Sequence, residues 1–336
     1  MVEEIEHSFT QFIRILARGK TKSRPLTLEE SKTAMDMILA GKIHPEQLGA
    51  FLMLLRFKEE TADEIAGFVK SVRSSLKLPR IPLQVDLDWS SYAGKRRQLP
   101  WFLLSALLLS QNGTNIFMHG VDGHTTGRIY TREALETLGL PIARSLADAA
   151  EKIKNNKFSY LPLENISPKL KELMELKSIL GLRSPVHTIA RLINPFNAPC
   201  LLQGIFHRSF MHTHQRAAQL LNQPHMAVFR GEGGEIECRP NKPTEVSTVH
   251  KGILDTFLWP PNLAEPRQPF DQNIDPNRLK MVWSGIDKDE YAIGAIIGTT
   301  AIALDTLGKA NGHQESTAMA KRFWENRDVD NLIIVA

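Results

Sequence analysis

Three consecutive cations, Lys95, Arg96 and Arg97, are the residues in this chain best suited to chemistry. They lie in the loop DWSSYAGKRRQLPW, after an alternating apolar run from Ile81 to Leu87 that reads as a β-strand. A loop that leaves a strand in an α/β protein often holds phosphate on glycine backbone. Gly94 is the one glycine here, and Tyr92 and Trp101 flank the cations. Arginines clamp phosphates, and exposed aromatics stack on unpaired bases. The loop has the residue types for a small phosphorylated substrate or a nucleic-acid backbone.

The remaining charge is segregated. The net charge is only +4, but residues 7 to 28 hold Arg14, Arg18, Lys20, Lys22 and Arg24 and no acid. From Leu176 to Gly231 there is again no acid, while Arg183, Arg191, Arg208, Arg216 and Arg230 accompany five histidines. Such segregation predicts a positive face for an anionic partner. Glu235 and Glu237, two apart in EIECRP, would share one face of a strand and are weak candidates for a divalent metal. His207, His212 and His214 lack a cysteine or carboxylate partner and read as the solvent face of a helix start.

These residues must be positioned by a fold. The 336 residues suffice for two domains or one large α/β unit, and 42% hydrophobic content is ordinary for a packed core. The first 75 residues read as helices: Thr27 with Glu30, and Thr61 with Glu64, make capping boxes. From residue 81 strands alternate with helices. The strands are expected at LQVDLDW, NIFMHG, PCLLQGIF, HMAVFRGEG and EIECRP, with helices at WFLLSALLLSQ, TREALETLG, LADAAEKIKN and HTHQRAAQLLN. This predicts a mostly parallel sheet flanked by helices. The expected division is a helical domain over residues 1–76, completed by a helix at about 167–185, and an α/β domain over 77–336. Cys200 and Cys238 cannot make a disulfide framework or a zinc cluster. The acidic, amphipathic N-terminus shows no secretory leader, and the longest apolar runs are too short for a membrane span. A cytoplasmic protein is expected.

Several segments together resemble the anthranilate phosphoribosyltransferase family. They are the entry LTLEESKTAMDMILAGKIHPEQLGAFLMLLRFKEETADEIAGF, the central run ISPKLKELMELKSILGLRSPVHTIARLINPFNAPCLLQGIFH, and FRGEGGEIECRP. The resemblance implies a helical domain on an α/β domain and a homodimer through the helical domain. It also implies a phosphate-binding turn after the first strand, where Gly-Thr-Gly-Gly-Asp is replaced by WSSYAGKRRQ. The family's next element, Lys-His-Gly-Asn-Arg, reads MHGVDG: His119 and Gly120 remain, and Met118 replaces the lysine. The family's adjacent Asp-Glu pair has become EIE, and Arg183 in GLRSP matches the residue that contacts the aromatic acid.

A diverged diphosphate site predicts no efficient anthranilate transfer, because that reaction needs its leaving group neutralised. The leading expectation is nonspecific DNA or RNA binding by a homodimer, a property associated with a divergent branch of the family. Its contacts would be Lys95, Arg96, Arg97, Arg183, Arg208 and the Arg14–Arg24 run, with no cofactor. The alternative is an active transferase using phosphoribosyl pyrophosphate, with magnesium, and an unidentified aromatic acceptor. A purely structural dimer is the third reading. No groove-reading motif is present.

Overall fold

The computed structural model describes residues 6–79, 83–123, 125–265, 267, 269–270 and 274–333. Helices Thr10–Ala17, Leu28–Leu39, Pro45–Lys58 and Ala62–Ser75 form an N-terminal bundle. Both predicted capping boxes are present, at Thr27/Glu30 and Thr61/Glu64. Glu64 is buried, and it also accepts from the Leu26 amide at 2.9 Å, tying the segment before Leu28 to the last helix. The apolar faces of FTQFIRIL and LGAFLMLLRF are largely used inside the bundle, where Phe12, Leu16, Phe51, Leu52 and Leu55 are buried. Phe57, 88% exposed, is the outward exception on the second segment.

The larger domain is built on a seven-stranded sheet in the order β3-β2-β1-β4-β5-β6-β7. The strands are β1 (Leu87–Ser91), β2 (Ile116–Gly120), β3 (Phe158–Pro162), β4 (Cys200–Ile205), β5 (His225–Arg230), β6 (Thr244–His250) and β7 (Ile253–Trp259). The first five are mutually parallel; β6 and β7 add an antiparallel pair. A parallel sheet needs cover on both faces, and alternation supplies it. Leu87, Trp89, Ile116 and Met118 pack with the largely apolar helices Trp101–Gln111 and Glu290–Thr306. Phe117, Leu161 and Leu201 point the other way, into the core shared with the bundle. Arg73 locks the two domains by donating to the carbonyls of Ile193 (2.8 Å) and Leu192 (2.9 Å).

Three expectations change. The strand after the linker is β1, later than Ile81, and Arg80 to Pro82 lie outside the described residues. EIECRP is not a strand: it follows a 3-10 turn, Glu232–Gly234, because its two acids are drawn inward to polar partners. The helix foreseen at 167–185 breaks into Pro168–Glu175 and Lys177–Leu180, stopped by Gly181 at φ +74°. Its Leu170, Leu173 and Met174 do join the bundle core. The outermost strand, β7, leaves Ile253 and Leu258 69% and 64% exposed. No helix among the described residues is long and apolar enough to cross a membrane.

Candidate phosphate-binding cleft

The loop after β1 separates the three cations. Arg96 and Arg97 are exposed, but Lys95 is fully buried and ion-paired with Glu232 and Glu237. The expected phosphate contact of Lys95 is therefore corrected: its ammonium is committed to two carboxylates. Backbone bonds in both directions between Lys95 and Ile129, at 2.8 Å, hold the loop down. Burial pushes the Glu237 carboxyl up to about 7, against the pull of Lys95, while Glu237 also accepts from the Phe102 amide at 2.9 Å. A buried ion cluster needs this saturation by partners to offset its desolvation.

The amides of the same turn are occupied too. Ala93 N and Gly94 N both donate to Glu235 Oε1 at 2.6 Å. Gly94, at φ +67°, adopts the left-handed backbone this arrangement uses. Burial raises the Glu235 pKa, and the two amide bonds and Arg191 oppose that rise. Trp89, Tyr92 and Trp101 are buried and do not offer stacking faces to solvent. Tyr92 Oη bonds His119 Nδ1 at 2.7 Å, and His119 Nε2 meets Asp88 Oδ1 at 3.1 Å. His119 is thus a packed strand-end residue. A Cβ on Gly120 would stand 2.0 Å from the Ser91 carbonyl, so that glycine serves strand approach.

What remains open is a cleft of about 390 Å³ between the bundle and the carboxyl ends of the parallel strands. Among the described residues four arginines line it, Arg56, Arg128, Arg183 and Arg191, against one carboxylate, Glu60. Phe206, half exposed, and Phe210 give the cleft an aromatic side, with the His207 ring edge-on to Phe206. The arginines press on one another. Burial and then Arg128 lower the Arg183 pKa, and burial, Arg183 and Arg128 lower that of Lys177. Burial lowers Arg191 to about 10 despite the countercharge of Glu235. Arg128 Nη1 donates to Ala93 O (2.8 Å), Gly94 O (3.0 Å) and Gly233 O (3.4 Å), bracing the turn beside the cleft. Of the expected contacts, only Arg183 lines this cleft. Sequence reading missed Arg56 and Arg128 altogether; Arg191 was visible only as a member of the acid-free span.

The remaining predicted cations are scattered. Arg14 pairs with Glu6, Arg24 with Glu30 and Arg208 with Glu245, so acids just outside the acid-free spans return to neutralise them. Arg18 and Lys22 are exposed, and the side chain of Lys20 lies outside the described residues. His214 is buried instead of facing solvent, bonded to Gln203 Oε1 at 2.7 Å, and burial lowers its pKa to about 3. The acids do not fit a magnesium ion. Glu232 and Glu237 share the Lys95 ammonium, Glu235 is turned onto amides, and no group of three metal-binding side chains occurs among the described residues.

The architecture, a helical bundle on a mostly parallel sheet flanked by helices, is shared with solved structures. Residues 10–76 match the helical bundle domain of the glycosyl transferase family. An anthranilate phosphoribosyltransferase of Pyrococcus furiosus is 28% identical over 322 residues, 94% of this chain and 97% of its own. The crystal structure of anthranilate phosphoribosyltransferase from Thermus thermophilus superposes with a TM-score of 0.82 at 20% identity, covering 97% of each chain. The Saccharomyces cerevisiae enzyme in complex with PRPP and Mg gives 0.78 at 17%, covering 95% of this chain and 94% of its own. These findings support kinship with the anthranilate phosphoribosyltransferases, and they favour the transferase expectation over the nucleic-acid one.

Proposed function

We propose that the cleft binds a phosphorylated ribose of the phosphoribosyl pyrophosphate class. The observation that carries this reading is the presence of Arg128, Arg183 and Arg191 together in one partly buried cleft, with Glu60 as the only lining carboxylate among the described residues. Like charges held together in low dielectric are relieved by an anion. Arginine is suited to phosphate because its planar fork bonds two oxygens at once. The likeness to anthranilate phosphoribosyltransferases supports this ligand class. Transfer to anthranilate is expected to be absent in the wild-type protein, since Glu235 holds the turn amides and the acids do not fit magnesium.

Nucleic-acid binding is the second reading. It is favoured by exposed Arg96 and Arg97 and by Phe206, over whose ring Arg230 lies at 6.0 Å. Cation and aromatic side by side suit an unpaired base and its phosphate. A second copy of the chain is the proposed protein partner, docking on the helical side where Phe57 and Ile179 are 88% and 79% exposed.

Calorimetric titration with phosphoribosyl pyrophosphate, in parallel with a labelled single-stranded oligonucleotide, decides between the ligands. Binding of the former that is lost in Arg183→Ala supports the first reading. Binding of the oligonucleotide alone would replace it with the second.

A further inference from the structure

At the end of the sheet remote from the cleft, His225 and His250 face each other across two antiparallel strands. They are direct partners in the register of β5 and β6. Their Nδ1 atoms lie 3.0 Å apart and their ring centroids 4.6 Å apart, with the ring planes at 61°. Within the pair one Nδ1 donates and the other accepts, so a single proton joins two ring nitrogens. With nitrogen bonds of about 2.0–2.1 Å, one metal ion spans nitrogens roughly 2.9–3.4 Å apart. The two imidazoles therefore stand at chelating distance on the backbone as it is.

The surroundings hold the pair in place and suit a cation. The His225 amide donates to the Pro199 carbonyl at 3.0 Å, and the Lys251 amide, next to His250, donates to the Pro224 carbonyl at 2.7 Å. Both strands are thus pinned beside the rings. Asp305 lies near enough to His250 for their charges to interact, and the Gly312 amide holds Asp305 Oδ1 at 2.7 Å. Asp305 belongs to the last turn of the helix Glu290–Thr306, the negative end of its dipole. Burial, His250 and Lys251 lower the His225 pKa, which favours the neutral ring that ligates a metal. Lys251 is an opposing charge, on an exposed turn. His225 is half-buried and His250 exposed, so an ion can enter from solvent.

We propose that His225 and His250 form a two-histidine site for a divalent transition ion of the copper, nickel and zinc class. Both Nδ1 atoms bind the ion. The ring that had donated carries its proton on Nε2 instead, so two neutral rings release no net proton. Asp305 adds negative charge without being a direct ligand, since no group of three metal-binding side chains occurs among the described residues. Imidazole selects such ions over magnesium and calcium, which prefer oxygen. The ion cross-links the sheet where its parallel part meets the antiparallel pair. The site is independent of the cleft, which lies at the carboxyl ends of the parallel strands, whereas His225 opens β5.

Calorimetric titration with Ni²⁺ tests the site in the wild type, His225→Asn, His250→Asn and His7→Asn, with circular dichroism as the check on folding. His7 is the control because its ring also meets another, that of His44, at 5.1 Å between centroids. Each site variant should bind at least tenfold more weakly than the wild type, and the control should match the wild type. Mg²⁺ should not compete with Ni²⁺. An ion that binds the native state should also raise the melting temperature of the wild type and not that of the two site variants. In the wild type itself, Ni²⁺ should protect the His225 and His250 rings from diethyl pyrocarbonate, and this readout decides if a variant does not fold. Equal Ni²⁺ affinity in the wild type and the folded site variants, or rings left unprotected, means that the pair is joined by a hydrogen bond only and overturns the site.

Discussion

Lys95 and His214 both read as surface residues in the sequence, and both are buried, His214 against Gln203 only 11 positions away. Lys95 meets Glu237, 142 positions later. Removing it by Lys95→Ala leaves two buried carboxylates without their cation and should destabilise the fold by about 3–5 kcal/mol. Urea denaturation measures this, with Arg97→Ala as the surface control. A Lys95 variant of unchanged stability would refute the buried cluster. His214 makes a pH prediction. The unfolded chain protonates it at its ordinary 6.5, whereas the folded protein resists until about 3. Below pH 6.5 the unfolded state therefore binds more protons, and stability falls as pH drops through that window, by about 1.4 kcal/mol per unit. Between pH 7 and pH 5, His214→Gln should lose less stability than the wild type, by about 2 kcal/mol. Parallel slopes for the two proteins would mean that His214 is solvated.

Elements were legible where the local signal was complete. WFLLSALLLSQ announces its helix because it is apolar all round, as a helix with both sides covered must be. Thr27 with Glu30 marks a helix start through a local hydrogen-bond exchange that needs no tertiary partner. The β6–β7 hairpin was not legible. Its turn is Lys251-Gly252, both at positive φ, where asparagine or aspartate before glycine gives the recognisable signal. The candidate site was legible only as a surplus of charge. Which cations meet in the cleft depends on domain packing, and so Arg56 and Arg128 carried no warning. Helix packing itself is testable at Gly67. Alanine there would gain about 1 kcal/mol of helix propensity. Its Cβ, however, would stand 2.2 Å from the Leu28 carbonyl and 2.7 Å from Ser31 Cβ. The clash should win, with a net loss of about 1–3 kcal/mol in chemical denaturation. A stabilised Gly67→Ala protein would mean the two helices are farther apart.

At the scale of the whole molecule, the bundle and the sheet share one core, and Arg73 bridges them through two backbone carbonyls. Denaturation should therefore be one cooperative transition by both tryptophan fluorescence and far-ultraviolet circular dichroism. Two separated midpoints would show that the domains melt independently. The sheet also ends without a cover on one side. Beyond β7 no further strand pairs among the described residues, and Ile253 and Leu258 stand in solvent beside a row of unpaired peptide groups. Shelf life follows from this. A bare, apolar edge templates the addition of another chain, and repeated addition grows fibrils. Concentrated stocks should gain thioflavin fluorescence during storage, and Ile253→Lys, a charge set on that rim, should keep them clear.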